Sequence, residues 1–463
     1  MLEAWNSTLA RREKQPAIHG PDGATLRTFT EIDAESRHLE AEFKDCPLGS
    51  VVAVQIGNSP SWPAVVLALF RLALIPLPLG RHIESGELAL VLATCRVGAI
   101  LHADGGAMRI ALREAEPIEW GSPRPDFLKL TSGTTSAPRA IRFRASQLRA
   151  DAENICSTMG ITERDRNFGV IPFSHSYGFS NLITPLLCLG VPLVATEDRL
   201  PRAILHDLAR SEATVFPGMP VFFRKLAECA DPPSLPSLRL CISAGALLPQ
   251  AVAQRFQEVF RLKIHTFYGA SECGGIAYDA SDFPQEEGVV GSPMSGVQVD
   301  LAAPRETGGI TVRSAAVGDG YFPDAEPATL GGGSFAPSDL IRSTGRGLVL
   351  EGRVSNVINI AGRKLNPIEV EQRLLACPGV RQVVVFGVPS PLRGEEPIAC
   401  MHVDPGVEAS AIWRFCQAEL SQWQRPRDIW MLPEIPVNER GKVNRRALAI
   451  EYLAQRKSVK ARV

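Results

Sequence analysis

Four stretches of the sequence carry residue types whose spacing could do chemistry. The first, LTSGTTSAPRAIRF (130–143), places hydroxyls and small residues between two apolar runs. Side-chain hydroxyls and backbone N–H groups of this kind wrap phosphate oxygens. Gly133 permits backbone geometry that a Cβ resists, and Arg139 adds a cation able to reach a β- or γ-phosphate. The GxxxxGK[ST] string of a Walker loop is absent. Taken alone, the stretch leaves a phosphate cradle and a plain Ser/Thr-rich connection equally open.

The second stretch is FYGASECGG (267–275), where an apolar run ends in an aromatic and a glycine. Ser271 and Glu272 then fall at the carboxyl edge of a strand, where ligands of α/β sheets sit. Tyr268 offers a ring face for a base, and Glu272 a hard oxygen for Mg²⁺. A lone Glu is more often a solvated surface group. In the third stretch, 334–371, Asp339 could accept both hydroxyls of a ribose, Arg353 follows, and Gly362 with Arg363 sits in a tight turn. The fourth, PVNERGKVNRRAL (436–448), places Lys442 after a glycine in a turn. A lysine there can swing into a cleft as a point charge, or be part of a solvated basic end.

These groups need a scaffold, and the sequence describes one. Runs such as SVVAVQIG (50–57), VPLVAT (191–196), ATVFPG (213–218), LRLCISAG (238–245) and LKIHTFYG (262–269) read as short strands. Between them lie helical stretches: SWPAVVLALFRLAL, with Ser61 as N-cap and Pro63 in the first turn, RAILHDLARS (202–211) and LPQAVAQRFQEVF (248–260). Alternation of this kind predicts α/β layers with a parallel sheet. Near residue 290 the texture changes to short Gly- and Pro-punctuated strands, a small β unit. From Arg353 a hairpin, the helix IEVEQRLLAC, two strands and another helix suggest a compact α+β domain. The expected organisation is therefore an α/β domain over 1–352 and a smaller one over 353–463.

The 463 residues are 45% hydrophobic and 21% charged with a formal net charge of −1, so neither nucleic acid nor an acidic membrane is indicated as a partner. Ten cysteines are scattered singly with no zinc spacing, which suits idle thiols in a reducing compartment. The stretch 62–80 is interrupted by Arg71 and ended by Pro76 and Pro78, too broken to span a bilayer. The first twenty residues lack an apolar core behind a basic start. The expectation is a cytoplasmic protein.

The four stretches, in this order, resemble the adenylate-forming enzymes: acyl- and aryl-CoA synthetases, peptide-synthetase adenylation domains and firefly luciferase. Thr131–Arg139 matches the family's [ST]SGTTGxPK with two changes. Tyr268–Glu272 matches YGxTE with Ser271 for Thr, Gly352–Glu371 matches its GRxDxxIKxxGxRI run, and Pro436–Leu448 its PxxxxGKxxRxxL ending. Two further segments become legible in that frame. His175, in IPFSHSYGFSNLITPLLCLGVPLV (171–194), is otherwise a plain structural histidine. The resemblance makes it a wall between nucleotide and acyl substrate. SAGALL (243–248) resembles the segment whose small residues, Ser243, Ala244 and Gly245, let adenine approach the backbone.

What the resemblance implies is a large N-terminal domain of layered α/β subdomains plus a small β unit, with a small mobile α+β C-terminal domain. The reaction would be ATP-dependent activation of a carboxylic acid, fatty or aryl, to an acyl-adenylate, then transfer to a thiol. CoA is the expected acceptor, with an acyl carrier protein as the alternative. A non-catalytic nucleotide-binding relative is a third reading. On this resemblance Thr131, Ser132, Gly133, Thr134, Thr135 and Arg139 would cradle the β- and γ-phosphates, and Ser271 would touch the α-phosphate. Glu272 would hold Mg²⁺, Tyr268 beside Gly269 would stack on adenine, and Asp339 and Arg353 would hold the ribose. Lys442 would bridge carboxylate and α-phosphate. Phe173, Tyr177, Phe179, Met219 and Ile276 would line the acyl pocket. The segment around His175 lacks the Asp of amino-acid-activating members, which favours a simple carboxylic acid. Ser136, Arg139 and Ala140 stand where Gly, Lys and Gly are usual, Ser355 sits at the hinge position commonly Asp or Lys, and Lys364 replaces an Arg.

Overall fold

The computed structural model describes every residue except 105–106, 132–137, 303–305, 362, 391, 438–442 and 461–463. The chain divides into two compact units: Met1–Asp300, Thr311–Pro337 and Gly345–Leu348 form one, and Leu301–Ile310, Ser338–Thr344 and Val349–Val463 form the other.

In the first unit the apolar runs become a parallel sheet. Strands Pro16–His19, Leu193–Ala195, Asn167–Gly169, Val215–Gly218, Leu240–Ser243 and Ile264–Ala270 lie side by side in that order, each parallel to the next. The three-to-four-residue strands in the middle are buried along their whole length, as strands enclosed on both faces must be. Beyond Ala270 the chain reverses, and Gly274–Tyr278 and Val289–Pro293 continue the sheet antiparallel. A second sheet pairs Ile75–Pro78, Val51–Gln55 and Val97–Asp104 in parallel, with Ala107–Leu112 antiparallel at its edge.

The apolar stretch at 62–80 is a helix, Trp62–Arg71, leading into the strand Ile75–Pro78. Every residue from Trp62 to Leu69 is buried, each Val or Leu worth about 1.5–3 kcal/mol. Ser61 does occupy the N-cap position, but its side chain does not cap: its Oγ donates to Glu35 Oε1 at 2.5 Å. A tertiary carboxylate has taken the hydroxyl that a local cap would use. No helix among the described residues is long and apolar enough to cross a membrane.

A third, antiparallel sheet frames the hydroxyl-rich stretch. Phe127–Leu130 and Ala140–Phe143 pair with Leu130 opposite Ala140, so residues 131–139 connect them. Gly320–Phe322 adds on the other side of Ala140–Phe143, Phe322 opposite Ala140 and Tyr321 opposite Ile141.

In the second unit, Val380–Ser390 and Gly394–Val403 form a long antiparallel pair, extended by Ile358–Ile360, Arg363–Leu365 and a parallel Asp428–Met431. Strand alternation sorts the core. Val383 and Val385 pack with Val370, Leu374 and Ile412, whereas Val384 and Phe386 pack with Leu448 and Tyr452. Helices Pro367–Leu375 and Ala409–Glu419 thus cover one face and Arg445–Lys460 the other. Glu371 is clasped by Arg445, whose Nη2 donates to both carboxylate oxygens at 2.6 and 2.9 Å while its Nε donates to Val385 O at 3.1 Å.

Candidate active site

Four neighbouring parallel strands, Asn167–Gly169, Val215–Gly218, Leu240–Ser243 and Ile264–Ala270, end on one edge of the main sheet. The chain leaving them carries the segment 170–177, Met219, Ala244–Gly245 and Ser271–Glu272. This carboxyl edge is where an open α/β sheet presents ligand groups. Ser271 meets the first segment directly, for Ser176 Oγ donates to Ser271 Oγ at 2.9 Å. One residue away, His175 Nδ1 accepts the Tyr177 N–H at 3.2 Å, which in the neutral imidazole puts the proton on Nε2. Tyr177 itself is buried and donates its hydroxyl to Ile242 O at 3.2 Å.

At the next strand end Ser243 is buried, and its Oγ has no hydrogen-bond partner among the described residues. A buried hydroxyl left so calls for a ligand or water. Ala244 is also buried and its N–H donates to Gly218 O at 3.2 Å, while Gly245 follows exposed at φ +88°. Tyr268 is 7% exposed, so most of its ring is already covered, and Gly269 beside it is exposed.

The connection 131–139 is pinched at its base. Thr131 donates its N–H and its Oγ1 to Arg139 O, at 2.8 and 3.0 Å. Ser132, Gly133, Thr134, Thr135 and Ser136 lie outside the described residues, as do Gly362 and Lys442. Arg139 pairs through Nη1 with Glu326 Oε1 at 2.5 Å, and its guanidinium carbon stands 4.4 Å from the centroid of the Tyr321 ring. Tyr321 in turn donates its hydroxyl to Glu272 Oε1 at 3.1 Å. Burial and the adjoining Glu272 carboxylate push the phenol pKa well above its ordinary value, so the tyrosine stays a donor. Thus Thr131, Arg139, Ser271 and Glu272 are gathered within one unit, joined by Tyr321, Glu326 and Ser176. Asp339 and Arg353 are gathered in the other, where Arg353 Nε donates to the buried Asp339 Oδ1 at 2.6 Å.

Behind the strand ends lies a buried charge cluster. Lys129, from the apolar run FLKL, donates Nζ to Ser180 Oγ at 3.1 Å and stands 4.6 Å over the Phe143 ring. Burial lowers its pKa, opposed by Asp151, Cys273 and Glu272. Asp151 Oδ1 accepts the Gly275 N–H at 3.0 Å and so anchors the turn that carries Glu272. Cys273, within the same motif, is fully buried; burial and the nearby Glu272 and Asp151 carboxylates hold its thiol protonated. All ten cysteines are free, eight of them buried.

The described residues hold no group of three or more His, Cys, Asp or Glu arranged for a metal. Glu272 alone cannot build a cation cage. Its single hard carboxylate fits Mg²⁺ that arrives on a polyphosphate, since Mg²⁺ is usually held by one or two carboxylates plus phosphate oxygens and water.

Residues 119–322 match the family described as AMP-binding enzyme, and residues 369–442 match its C-terminal domain. The chain belongs to the adenylate-forming enzymes. The first match runs from just before the hairpin that holds the hydroxyl-rich connection to Phe322, and so covers every site segment of the first unit. Among curated relatives, a probable CoA ligase of Humulus lupulus is 28% identical, over 70% of this chain and 66% of the relative. A long-chain-fatty-acid–CoA ligase of Bacillus subtilis is 26% identical, over 76% of this chain and 67% of the relative. These matches span about two thirds of each relative's own length. Among solved structures, ATP-bound MatB from Rhodopseudomonas palustris shares the fold with TM-score 0.86 at 21% identity, covering 97% of this chain and 98% of that one. The layered α/β architecture is therefore that of adenylate-forming enzymes.

Sequence reasoning missed Tyr321, Glu326, Ser176, Lys129 and Asp151. Lys129 had a signal, a charge inside an apolar strand. Tyr321 and Glu326 had none, because only the non-local pairing of Gly320–Phe322 with Ala140–Phe143 brings them to Arg139.

Proposed function

We propose that this adenylate-forming enzyme activates a carboxylic acid with ATP and transfers the acyl group to CoA. A carboxylate oxygen attacks the α-phosphorus and pyrophosphate leaves, giving the acyl-adenylate. The CoA thiol then attacks the acyl carbon, losing its proton, and AMP departs with the original carboxylate oxygen. The nucleophile is already ionised near neutral pH, so the first step needs charge neutralisation rather than a base.

The observation that carries this reading is the gathering of Thr131, Arg139, Ser271 and Glu272 around one sheet edge, with the unpartnered Ser243 hydroxyl at the adjacent strand end. The CoA-ligase names of the curated relatives support it. In this reading Thr131, Ser132, Gly133, Thr134, Thr135 and Arg139 bind the β- and γ-phosphates, and Ser271 contacts the α-phosphate. Ser243, Ala244, Gly245, Tyr268 and Gly269 border the adenine. Asp339 and Arg353 hold the ribose, His175 separates nucleotide from acid, and Lys442 neutralises the α-phosphate as the carboxylate approaches. Glu272 would hold Mg²⁺, which would supply charge neutralisation at the phosphates. The pair of Asp339 with Arg353 presents a fixed carboxylate acceptor suited to vicinal hydroxyls. Domains 1–352 and 353–463 divide these tasks, the second being the mobile partner.

The buried Phe173, Tyr177, Phe179, Met219 and Ile276 suit a fatty or aryl acid. Pyrophosphate release across a panel of fatty, aryl and short acids, with and without CoA, tests the reading. Release with at least one acid, and thioester formation on adding CoA, is expected. No release with any acid would overturn it, and discharge by a phosphopantetheinylated carrier but not by CoA would move the acceptor to a carrier protein.

A further inference from the structure

The segment 318–322 is stitched to two parts of the candidate site at once. Gly318 N–H donates to Glu272 O at 2.9 Å, and Gly320–Phe322 pairs with Ala140–Phe143, the strand that begins right after Arg139. A Cβ at Gly318 would meet Ile141 Cγ2 at 2.6 Å, so the segment lies hard against that strand. Asp319 fixes it further, accepting from Arg144 Nε and Nη2 at 2.9 and 3.0 Å and from Gln147 Nε2 at 2.8 Å. Tyr321 emerges from this clamped segment. Its ring face underlies the Arg139 guanidinium and its hydroxyl reaches Glu272 Oε1. One rigid side chain thereby touches the cation of the hydroxyl-rich connection and the carboxylate of the adjacent strand end.

We propose that Tyr321 is a positioning residue that holds Arg139 and Glu272 in fixed relation, so that one polyphosphate can meet the cation while its metal meets the carboxylate. The inference rests on the nucleotide reading above and deepens it. It also gives a physical account of the arginine at 139. A planar guanidinium can stack on Tyr321 and still fork toward Glu326 through Nη1, keeping its remaining N–H groups for a phosphate. A lysine ammonium has neither the planar face nor the fixed donor fork, so it holds such a set of contacts less rigidly. The two ends of the tyrosine therefore have separable effects. The hydroxyl orients the metal-binding carboxylate, a type of contact whose loss weakens metal affinity by about 10- to 100-fold. The ring holds the guanidinium, whose loss weakens an exposed cation contact by about threefold.

The test is ATP binding by calorimetry on the full chain, in EDTA and in excess Mg²⁺. Tyr321→Phe keeps the ring: its Kd in EDTA stays within about twofold of the parent, while the tightening produced by Mg²⁺ falls by about tenfold. Tyr321→Leu loses that tightening and also weakens binding in EDTA by about threefold. In a Glu272→Gln background, Tyr321→Phe has no further effect on the Mg²⁺ response. A tyrosine with a merely structural role would lower the melting temperature without separating the two arms. Mg²⁺ tightening unchanged in Tyr321→Phe overturns the inference, as does an EDTA loss equal to that of Tyr321→Leu. If the Leu variant does not fold, the Mg²⁺ arm of the Phe variant decides alone. A parent that binds no ATP in either condition overturns the nucleotide reading, and this inference with it.

Discussion

Gly274→Ala should be among the most damaging single-methyl changes in the chain. Gly274 sits at φ +71° in the turn after Glu272, and a Cβ there would lie 2.0 Å from Asp151 Oδ1 and 2.2 Å from its Cγ. Two costs add. A residue with a Cβ in the left-handed region costs about 1–2 kcal/mol. The methyl must also displace the buried Asp151 carboxylate from the Gly275 N–H, a hydrogen bond to a charged group worth about 1.5–3 kcal/mol. Asp151 cannot easily retreat to another donor, since its Oδ2 already lacks one among the described residues. The expected loss is about 3–5 kcal/mol, a large part of the 5–15 kcal/mol that holds a typical domain together. Gly160→Ala is the control. Gly160 has φ +62°, at a helix C-terminus, with nothing within 4 Å of a Cβ, so only the backbone cost applies. Thermal unfolding compares them. At about 2–3 °C per kcal/mol, Gly274→Ala should melt roughly 6–15 °C below the parent and Gly160→Ala only about 2–6 °C below it. Equal shifts for the two variants would refute the argument that the Asp151 anchor fixes the acidic turn.

Arg445→Met should destabilise the C-terminal unit by about 3–5 kcal/mol, because it strands the mostly buried Glu371 carboxylate. Burial already raises the Glu371 pKa against the pull of Arg445, so the defect should shrink as pH falls and the carboxyl takes up a proton, and Glu371→Gln should partly rescue it; thermal melts across pH check both. Asp165 behaves oppositely. Burial would lift its pKa, but donors from Arg239, the Thr162 N–H and Thr214 outweigh this and hold it low. Its contribution is therefore present above about pH 4 and lost as pH falls through the lowered value, so Asp165→Asn should be less stable at pH 7 and show a flatter decline below about pH 4 in the same melts. Lys442→Ala should lower ATP–pyrophosphate exchange by about 10²- to 10³-fold or more while thioester formation from preformed acyl-adenylate changes little, which single-turnover assays on each half-reaction would measure.

Most of the parallel sheet is readable because Leu193–Ala195, Val215–Gly218, Leu240–Ser243 and Ile264–Ala270 lie in short apolar runs separated by helical stretches, whereas Asn167–Gly169, with no β-branched residue, and Pro16–His19 give no such local signal. The hydroxyl-rich connection and YGASE were readable for a related reason: their chemistry lies within a few consecutive residues. What links them was not. Arg139 and Glu326 are 187 residues apart, and Tyr321 and Glu272 are 49 apart, so no local pattern announces the contacts. Ser61 shows the converse, a sound local N-cap signal overridden by a carboxylate 26 residues away. Arg445, one of the residues on which the fourth stretch resembles its family, turns out to bind Glu371 and the Val385 carbonyl. Its place in the motif is explained by how the last helix docks. The resemblance makes Asp339 and Arg353 each a ribose contact, and the fold pairs them with each other.

In the proposed reaction an acid oxygen attacks the α-phosphorus of ATP. The direct test supplies an acid that supports pyrophosphate release, labelled with ¹⁸O in its carboxylate, together with ATP, Mg²⁺ and CoA, and reads the nucleotide product by mass spectrometry. AMP carrying one ¹⁸O atom from the acid is the expected product. Unlabelled AMP, or ADP with labelled inorganic phosphate, would contradict that reaction.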